Sequence, residues 1–440
     1  MLASLVLLLS GLVQAPAGVD EGARTLALLK RPEKDLVLAT GAANERSRKL
    51  LPLLRAYTEL MGWKLALDPE LEAALAKSDT GLMIAADVGR EDVHALVEIL
   101  ARARGLCFRF AADPGEARLV VARVESEAGR KAFDAPIAIP IELLPAWSRH
   151  PAYLLALEIQ HAPEGAAELA ERLRLLLPQG ALRAEVSALP SGALRVTGSA
   201  AVLEFVVATL GEGPALASGL ETATFPPDPN TPEGSKPAEL PEILNAAFPR
   251  GEGDLVLSWD LAPPTELDIL LAFGRWARQP LLFQDDDVRA SLAQPKSSVD
   301  APQSVPAAWV REFVSGVLAD AGCGVAPMPA RHPVLWMVGK HPQVGALPRD
   351  PVGIPPIRLK HLAAVAHLPA TRFQTFTRVP KLGLEALVGY ESLRSPDPRE
   401  PFWITRLDDQ GLFSIIGTPR AITSAVLALR LLLSTPREQR

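Results

Sequence analysis

The sequence predicts an α+β fold made of four small two-layer units, each a small sheet with helices on one face. Three observations support this prediction. Strand-like and helical hydrophobic patterns alternate in segments of about 80 residues, a size that suits such two-layer units. Similar segments recur at a nearly constant offset along the chain. A stretch rich in Pro and Gly separates the two halves.

Length and composition indicate a globular chain of several domains. With 440 residues, the chain is too long for one ordinary hydrophobic core. Hydrophobic residues make up 48% and charged residues 22% of the chain, which is typical of neither disordered nor membrane-embedded proteins. The net charge of −6 is spread without a long like-charge run. Nucleic acid is therefore not an expected partner.

The N-terminus has the pattern of an export signal. Residues 2–13 are nearly all apolar, and Ala15-Pro16-Ala17 offers a small-x-small cleavage site, so we expect a signal peptide over residues 1–17. The apolar stretch would span roughly 18 Å as a helix, against about 30 Å for a bilayer core. Because the first residues lack Lys and Arg, an uncleaved or lipid-associated end and a buried N-terminal helix remain alternatives.

The first part of each half repeats. The motif Asp-Leu-Val-Leu occurs at residues 35–38 and again at 254–257. Helices are predicted over 90–104 and 306–320, and the apolar positions Val93, Leu96, Val97 and Leu100 of the first recur as Val310, Phe313, Val314 and Val317 at a constant shift of 217 residues. A glycine suited to a left-handed helix end follows each of these helices, at Gly105 and Gly322.

The second part of each half repeats as well. The strand pattern at 193–198 matches 412–417 at a shift of 219, and a helix is predicted after each, over 200–210 and 419–433. A further strand and helix of the last unit are predicted around 372–377 and 380–393. Prolines and glycines mark residues 213–251 as a linker. The predicted domains are 33–125, 136–212, 252–342 and 352–434.

The order of elements within these units resembles a known family. The first unit starts with an amphipathic helix at 53–61, followed by Gly62, a strand at 63–67 and a turn at Asp68-Pro69. A strand at 82–85 and a helix at 93–100 follow, and the helix ends in Gly105-Leu106 before a hairpin that includes 118–121. This order resembles the N-terminal domain of bacterial secretins. The strand, helix, strand and helix at 155–159, 168–177, 194–196 and 202–210 resemble the KH-like secretin ring domain that follows it.

The resemblance carries implications for location and partners. Secretins end in a large β-domain that forms the outer-membrane pore, whereas the fourth unit here ends near Leu433 and the chain stops at Arg440. The resemblance therefore implies duplicated ring domains without the channel, exported to the periplasm or cell envelope of a bacterium. It implies protein partners there, such as a secretin or an inner-membrane secretion component, or further copies of this chain.

No residue pattern predicts a catalytic, cofactor-binding or metal site. The spacing of His332, His341 and Cys323 fits no structural zinc pattern. Residues 285–287 lack the alternating oxygens and glycine turn of a calcium loop, and we interpret both 285–287 and 68–70 as strand-ending turns.

Acidic, aromatic and cysteine residues also receive structural interpretations. Three acidic residues, Glu158, Glu168 and Glu171, are candidates for paired-carboxylate catalysis, but the helix pattern places the last two on a solvated face. The cysteines, Cys107 and Cys323, are predicted to be small core residues. Trp276 and Trp336 are predicted to face cores, whereas Trp147 and Trp403 lie in Pro-rich connections and are candidate exposed contacts.

These patterns favour a non-enzymatic, exported protein–protein interaction protein associated with a secretion or pilus assembly. The alternative is an exported cell-envelope hydrolase, which would need a deep pocket with convergent polar groups. A third hypothesis is a stalk that spaces other components, which rigid docking between consecutive domains would favour.

Overall fold

A computed structural model describes the following parts of the chain, beginning after the predicted signal peptide. The described residues are 19–29, 32, 49–82, 90, 92–113, 116–127, 129, 131, 135–160, 165–177, 184–211, 213–219, 253–258, 264–277, 280–294, 303–328, 335–340, 354, 356–362, 365, 372–379, 392–394 and 402–434. Predictions for residues 1–17, 35–38, His332, His341 and most of the linker lie outside them.

The chain divides into two compact units, one built mainly of residues 1–206 and the other mainly of residues from Val207 to Arg440. The elements up to the end of the first unit are α1 Val19–Leu28, α2 Leu50–Met61, β1 Lys64–Ala66, α3 Pro69–Lys77, α4 Val93–Ala103, β2 Leu106–Asp113, β3 Glu116–Arg123, β4 Ile137–Ala138, α5 Leu144–Trp147, β5 Leu155–Ile159, α6 Ala166–Leu176, β6 Glu185–Ala188, β7 Leu194–Gly198 and α7 Ala200–Gly211. We refer to α2–β3 as the first domain and to β4–α7 as the second domain.

The remaining helices and strands lie between Gly213 and Ser434. They are α8 Gly213–Leu216, β8 Ser218–Gly219, β9 Leu255–Leu257, α9 Glu266–Ala277, β10 Leu281–Phe283, α10 Asp286–Leu292, β11 Gln303–Val305, α11 Val310–Asp320, β12 Cys323–Met328, β13 Leu335–Lys340, β14 Pro356–Ile357, β15 Phe373–Arg378, β16 Ser392–Arg394, β17 Trp403–Arg406, β18 Leu412–Gly417 and α12 Pro419–Ser434. Helices thus mix with several small sheets, and the predicted α+β class is confirmed.

Two of the sheets have three strands and the same order. In the first, β1 is parallel to β3 and β3 is antiparallel to β2, which gives the order β1-β3-β2. The other has the order β10-β13-β12, again with an antiparallel last pair. The glycines that precede β2 and β12, Gly105 and Gly322, both have positive φ angles, of 71° and 68°. A residue with a Cβ is strained in this conformation, which explains glycine at both helix ends.

The acidic residues after β1 and β10 begin helices, so our interpretation of 68–70 and 285–287 as strand-ending turns is wrong. Asp68 is the N-cap of α3, and its Oδ1 accepts a hydrogen bond from Leu71 N at 2.7 Å. Asp285 caps α10 in the same way, from Val288 N at 2.8 Å. The short polar side chain satisfies a backbone N–H that has no partner within the helix.

Removing either cap should therefore destabilise its helix. We expect Asp68→Ala and Asp285→Ala each to lower the free energy of unfolding by about 1 kcal/mol in chemical denaturation. Asparagine is also a good N-cap, so Asp68→Asn and Asp285→Asn are matched controls with losses below about 0.5 kcal/mol. Equal losses for the alanine and asparagine variants would show that the caps do not carry this stability.

The other two large sheets share a hairpin core with a following helix. One has the order β4-β5-β7-β6, and the other has β14-β15-β18-β17-β16, with β8 paired in parallel to β15. In both, the central antiparallel pair ends opposite a glycine, at Leu155↔Gly198 and Phe373↔Gly417. A hydroxyl then accepts a hydrogen bond at the start of the helix: Ser199 from Val202 N, and Thr418 from Ala421 N.

Two segments differ from the predictions. The first residues of the predicted 213–251 linker form α8 and β8, and Gly213 lies so close to Phe376 that an added Cβ would be 2.9 Å from its ring. Of the helix predicted over 380–393, only residues 392 and 393 are among the described residues, and they belong to strand β16, which pairs with β17. Strand β8 pairs with β15, which is distant in sequence, and local propensity does not reveal such a partner. Within the described residues, no helix combines the length and apolar character needed to span a bilayer.

Candidate functional site

Helix α4 carries a row of polar side chains into the interior of the first unit. Its His94, Glu98 and Arg102 are spaced four residues apart, so they lie on one face of the helix. All three are buried, and Glu98 is 0% exposed. A buried carboxylate is costly unless charged or hydrogen-bonded partners surround it. The surroundings of Glu98 therefore identify what this face of the helix does.

Both oxygens of Glu98 accept hydrogen bonds from a segment of the second domain, between α5 and β5. The Nδ1 of His150 lies 2.9 Å from Oε1, and the backbone N–H of Ala152 donates to Oε2 at 3.3 Å. His150 is also buried. One carboxylate on a first-domain helix thus binds two groups that lie between α5 and β5.

The backbone strengthens the same connection. The N–H of Phe108, in β2, donates to the carbonyl of Ala152 at 2.9 Å, and Phe108 forms a parallel bridge with Tyr153. The outer edge of β2 is therefore partly paired with the second-domain segment between α5 and β5. A sheet edge covered in this way is less available to other strands.

Aromatic rings fill the space around these hydrogen bonds. Tyr153 is at the centre, with ring centroids 5.5 Å from Trp147 and 6.0 Å from both Phe108 and Phe110. The rings of His94 and His150 are 5.5 Å apart. Such edge-to-face and stacked pairs add to the burial of apolar area. We call this set the junction; its members are Tyr57, Trp63, His94, Glu98, Arg102, Phe108, Phe110, Trp147, His150, Ala152 and Tyr153.

Two tyrosines of the junction are held in the protonated form. The hydroxyl of Tyr57 lies 2.7 Å from Nδ1 of His94. Burial, and secondarily the charge of Glu98, raises the pKa of Tyr57 well above its ordinary value of about 10. Burial also raises the pKa of Tyr153, with smaller effects from Glu98 and Tyr57. Both phenols therefore remain neutral across the physiological pH range.

The raised pKa values predict the alkaline titration of the protein. Because these pKa values are higher in the folded state, the stability they contribute is present below about pH 10 and is lost as pH rises further. Of the three tyrosines in the chain, we expect at most one to ionise near pH 10 in the folded protein, followed by absorbance at 295 nm. All three should titrate near pH 10 in denaturant. Reversible ionisation of two or more in the folded protein would contradict the burial of this pair.

The candidates from the sequence are not brought together at one site. Glu168 and Glu171 are exposed and pair with Arg172 and Arg174 on their own helix, which confirms the prediction of a solvated face. Glu158 lies on β5 opposite Arg195. Within the described residues, no group of three or more His, Cys, Asp or Glu side chains is arranged to hold a metal ion.

The cysteine and tryptophan predictions have mixed outcomes. Cys107 and Cys323 are free and buried, as predicted, and burial raises the pKa of both thiols. Trp336 is in a core, as predicted. Trp147 is not an exposed contact, because it is 0% exposed and packs on His150 and Tyr153. A Pro-rich connection around Trp147 suggested exposure, but a large ring gains more from burial in the junction.

Sequence reasoning missed the polar residues of the junction, although a signal existed. Within an otherwise apolar helix, the spacing of His94, Glu98 and Arg102 marks one inward-facing polar stripe. At the shift of 217 residues, the corresponding positions on α11 are Arg311, Ser315 and Ala319. The stripe therefore belongs to the first domain alone, as expected of a particular contact rather than of the shared fold.

The geometry of the junction suits a fixed connection between two domains. The Glu98 carboxylate, the two imidazoles and the Tyr57 phenol are buried and are engaged with one another or with the backbone, whereas the buried hydroxyl of Tyr153 has no hydrogen-bond partner among the described residues. A reacting group needs access to its substrate, whereas a connection needs burial and mutual hydrogen bonds. The junction has the burial and the mutual hydrogen bonds that a connection needs.

No protein-family model matches the chain, and no curated protein matches it. Among solved structures, the chain is similar to the Klebsiella pneumoniae type II secretion system outer membrane complex with PulD, PulS and the PulC HR domain, at 12% identity and a TM-score of 0.28, covering 90% of this chain and 50% of that chain. It thus spans about half the length of the chain that it matches.

Two further solved structures are similar to parts of the chain. One is the GspC–GspD complex of the type II secretion system of enterotoxigenic Escherichia coli, at 15% identity and a TM-score of 0.15, covering 40% of this chain and 99% of that chain. The other is the N-terminal domain of the secretin XcpQ from Pseudomonas aeruginosa, at 15% identity and a TM-score of 0.13, covering 48% and 83%. XcpQ is a secretin, and the secretins are the family that the predicted domain at 33–125 resembles.

Proposed function

We propose that this chain is an exported, secretin-like protein of the bacterial cell envelope whose function is to bind other proteins of a secretion or pilus assembly. The observation that carries the proposal is the junction. Its ionisable side chains hydrogen-bond across two small α+β domains and are buried. These polar groups therefore stabilise the arrangement of the domains, and we assign binding of other proteins to the exposed surfaces.

We also propose that the chain consists of one pair of domains present twice, without enzymatic activity of its own. Four matched features support the duplication. They are the common order of the three-stranded sheets, the capping pair Asp68 and Asp285, the positive-φ pair Gly105 and Gly322, and the strand-ending pair Gly198 and Gly417.

The binding proposal predicts covalent capture of envelope proteins from exposed positions. A photo-reactive amino acid would be placed at Trp309 or Leu431, which are 63% and 67% exposed, and at the buried Val338 as the control. After irradiation of intact bacteria, we expect adducts identified by mass spectrometry at the exposed positions alone. No adduct at either exposed position, together with a monomer in envelope extract, would overturn the proposal. Fractionation and N-terminal sequencing of the same sample test export and cleavage near Ala17.

A stalk that spaces other components is a second candidate, because the junction fixes consecutive domains as that role requires. Photo-crosslinking should distinguish the two functions by which positions of the chain form adducts. A stalk should be captured at its ends by the components it separates, and capture should be lost when the spacing changes. An interaction protein should lose capture when surface residues change and the spacing does not.

A further inference from the structure

The six-stranded sheet of the second unit has one face turned away from its own hydrophobic core. Phe373 of β15 belongs to the core cluster with Ile404 and Ile415. Because side chains alternate along a strand, Gln374 and Phe376 lie on the opposite face. Nε2 of Gln374 donates hydrogen bonds to Thr209 and Ser414 there, at 3.1 and 3.0 Å. The middle of this face is therefore covered by the chain itself.

A cation lies at the start of the same strand, beside a tryptophan. The guanidinium of Arg372, which directly precedes β15, lies over the ring of Trp403, with Cζ 5.2 Å from the ring centroid. A guanidinium stacked on an indole is attracted by the ring's negative face, and the stacking holds the fork of N–H donors in one orientation. We call this pair the Arg372–Trp403 anchor.

No carboxylate among the described residues offsets the burial of Arg372. Among the described residues, none accepts a hydrogen bond from its buried Nε. Burial lowers the pKa of Arg372 to about 10, the direction expected for a cation removed from water without a compensating carboxylate. A partly buried, unbalanced cation costs stability, so its retention calls for a compensating role.

The pair does not occur in the corresponding place of the other sheet. The registers Leu155↔Gly198 and Phe373↔Gly417 make Leu154 the counterpart of Arg372. The registers Glu185↔Thr197 and Trp403↔Ile416 make Glu185 the counterpart of Trp403. Leu154 is buried and apolar, and Glu185 is acidic. The fold therefore does not need an arginine or a tryptophan at these positions.

We propose that the Arg372–Trp403 anchor is a docking point for a carboxylate of an acidic segment of a protein partner. Charge complementarity supports this occupant: a planar guanidinium matches a carboxylate bidentately, and stacking on Trp403 orients it before binding. The proposal rests on the proposed binding function and specifies the chemistry of one of its surfaces.

The anchor predicts binding of a simple acidic peptide to the full protein. The probe is N-acetyl-tetraglutamate amide, titrated while the side-chain N–H signals of Arg372 and Trp403 are followed by NMR, with tetraglutamine amide as the uncharged control. We expect Arg372→Met to weaken binding at least about tenfold, as for loss of a charge-assisted hydrogen bond. Arg372→Lys should weaken it less. The matched control is Arg378→Met, at the exposed end of β15, with a change below about twofold.

Stability measurements separate binding from folding. Because Arg372 is an unbalanced cation, Arg372→Met should unfold at a temperature equal to or above that of the unchanged protein. Absence of saturable binding of tetraglutamate, or equal effects of Arg372→Met and Arg378→Met, would overturn the proposal. Preferential binding of a phosphoserine peptide would overturn it in favour of a phosphate ligand. The peptide assay needs no envelope component, so its failure is distinguishable from failure of capture in intact bacteria.

Discussion

Replacement of Glu98 by alanine is expected to lower the free energy of unfolding of the first unit by about 3–5 kcal/mol, the size of effect seen when one partner of a buried charged network is removed. The variant leaves the Nδ1 of His150 and the N–H of Ala152 without their acceptor, in a site that water does not reach freely. Chemical denaturation followed by far-UV circular dichroism measures the loss.

Two controls test whether the loss comes from the junction. Glu171→Ala removes a carboxylate that is exposed on α6 and should change stability by less than about 0.5 kcal/mol. Glu98→Gln keeps one acceptor oxygen and should fall between the other two variants. A loss below about 1 kcal/mol for Glu98→Ala would contradict the role given to this carboxylate.

Replacement of Trp147 by alanine is expected to lower the free energy of unfolding by about 3–5 kcal/mol as well, through the cavity left by a fully buried indole. The ring packs on His150 and Tyr153, so the cavity would lie within the junction. Near-UV circular dichroism should lose signal from the surrounding aromatic rings.

Trp309→Ala is the matched control, because the same residue type is 63% exposed at that position. We expect it to change stability by less than about 0.5 kcal/mol. Similar losses for the two tryptophan variants would mean that Trp147 is not packed as described. A loss for Trp147→Ala that is absent when Glu98 is already alanine would show that the two residues act through one contact.

Local patterns were sufficient to predict most helices and the α+β class. Hydrophobic spacing predicted a helix at 90–104, and α4 spans Val93–Ala103. The helix predicted over 200–210 is α7, Ala200–Gly211. Helix α4 has a strong 3.6-residue period, whereas α7 is apolar on nearly every side and was predicted from its length and its place after a strand.

The missed features depend on contacts between distant residues. Glu98 and His150 are separated by 52 positions, so neither local spacing nor composition identifies the pair. Strand β8 forms at the start of the predicted linker, where it pairs with β15 much later in the chain. The caps at Asp68 and Asp285 were readable locally, since Asp followed by Pro or further acidic residues is also typical of a helix start.

The central claim is that the junction fixes the second domain to the first. The most direct test is the distribution of distances between spin labels at the exposed positions Glu59 and Glu171, each replaced by cysteine, with the native Cys107 and Cys323 left buried. We predict one narrow distribution in the otherwise unchanged protein, and a broader one when Glu98 is alanine. A broad distribution in the protein with an intact junction would contradict the account.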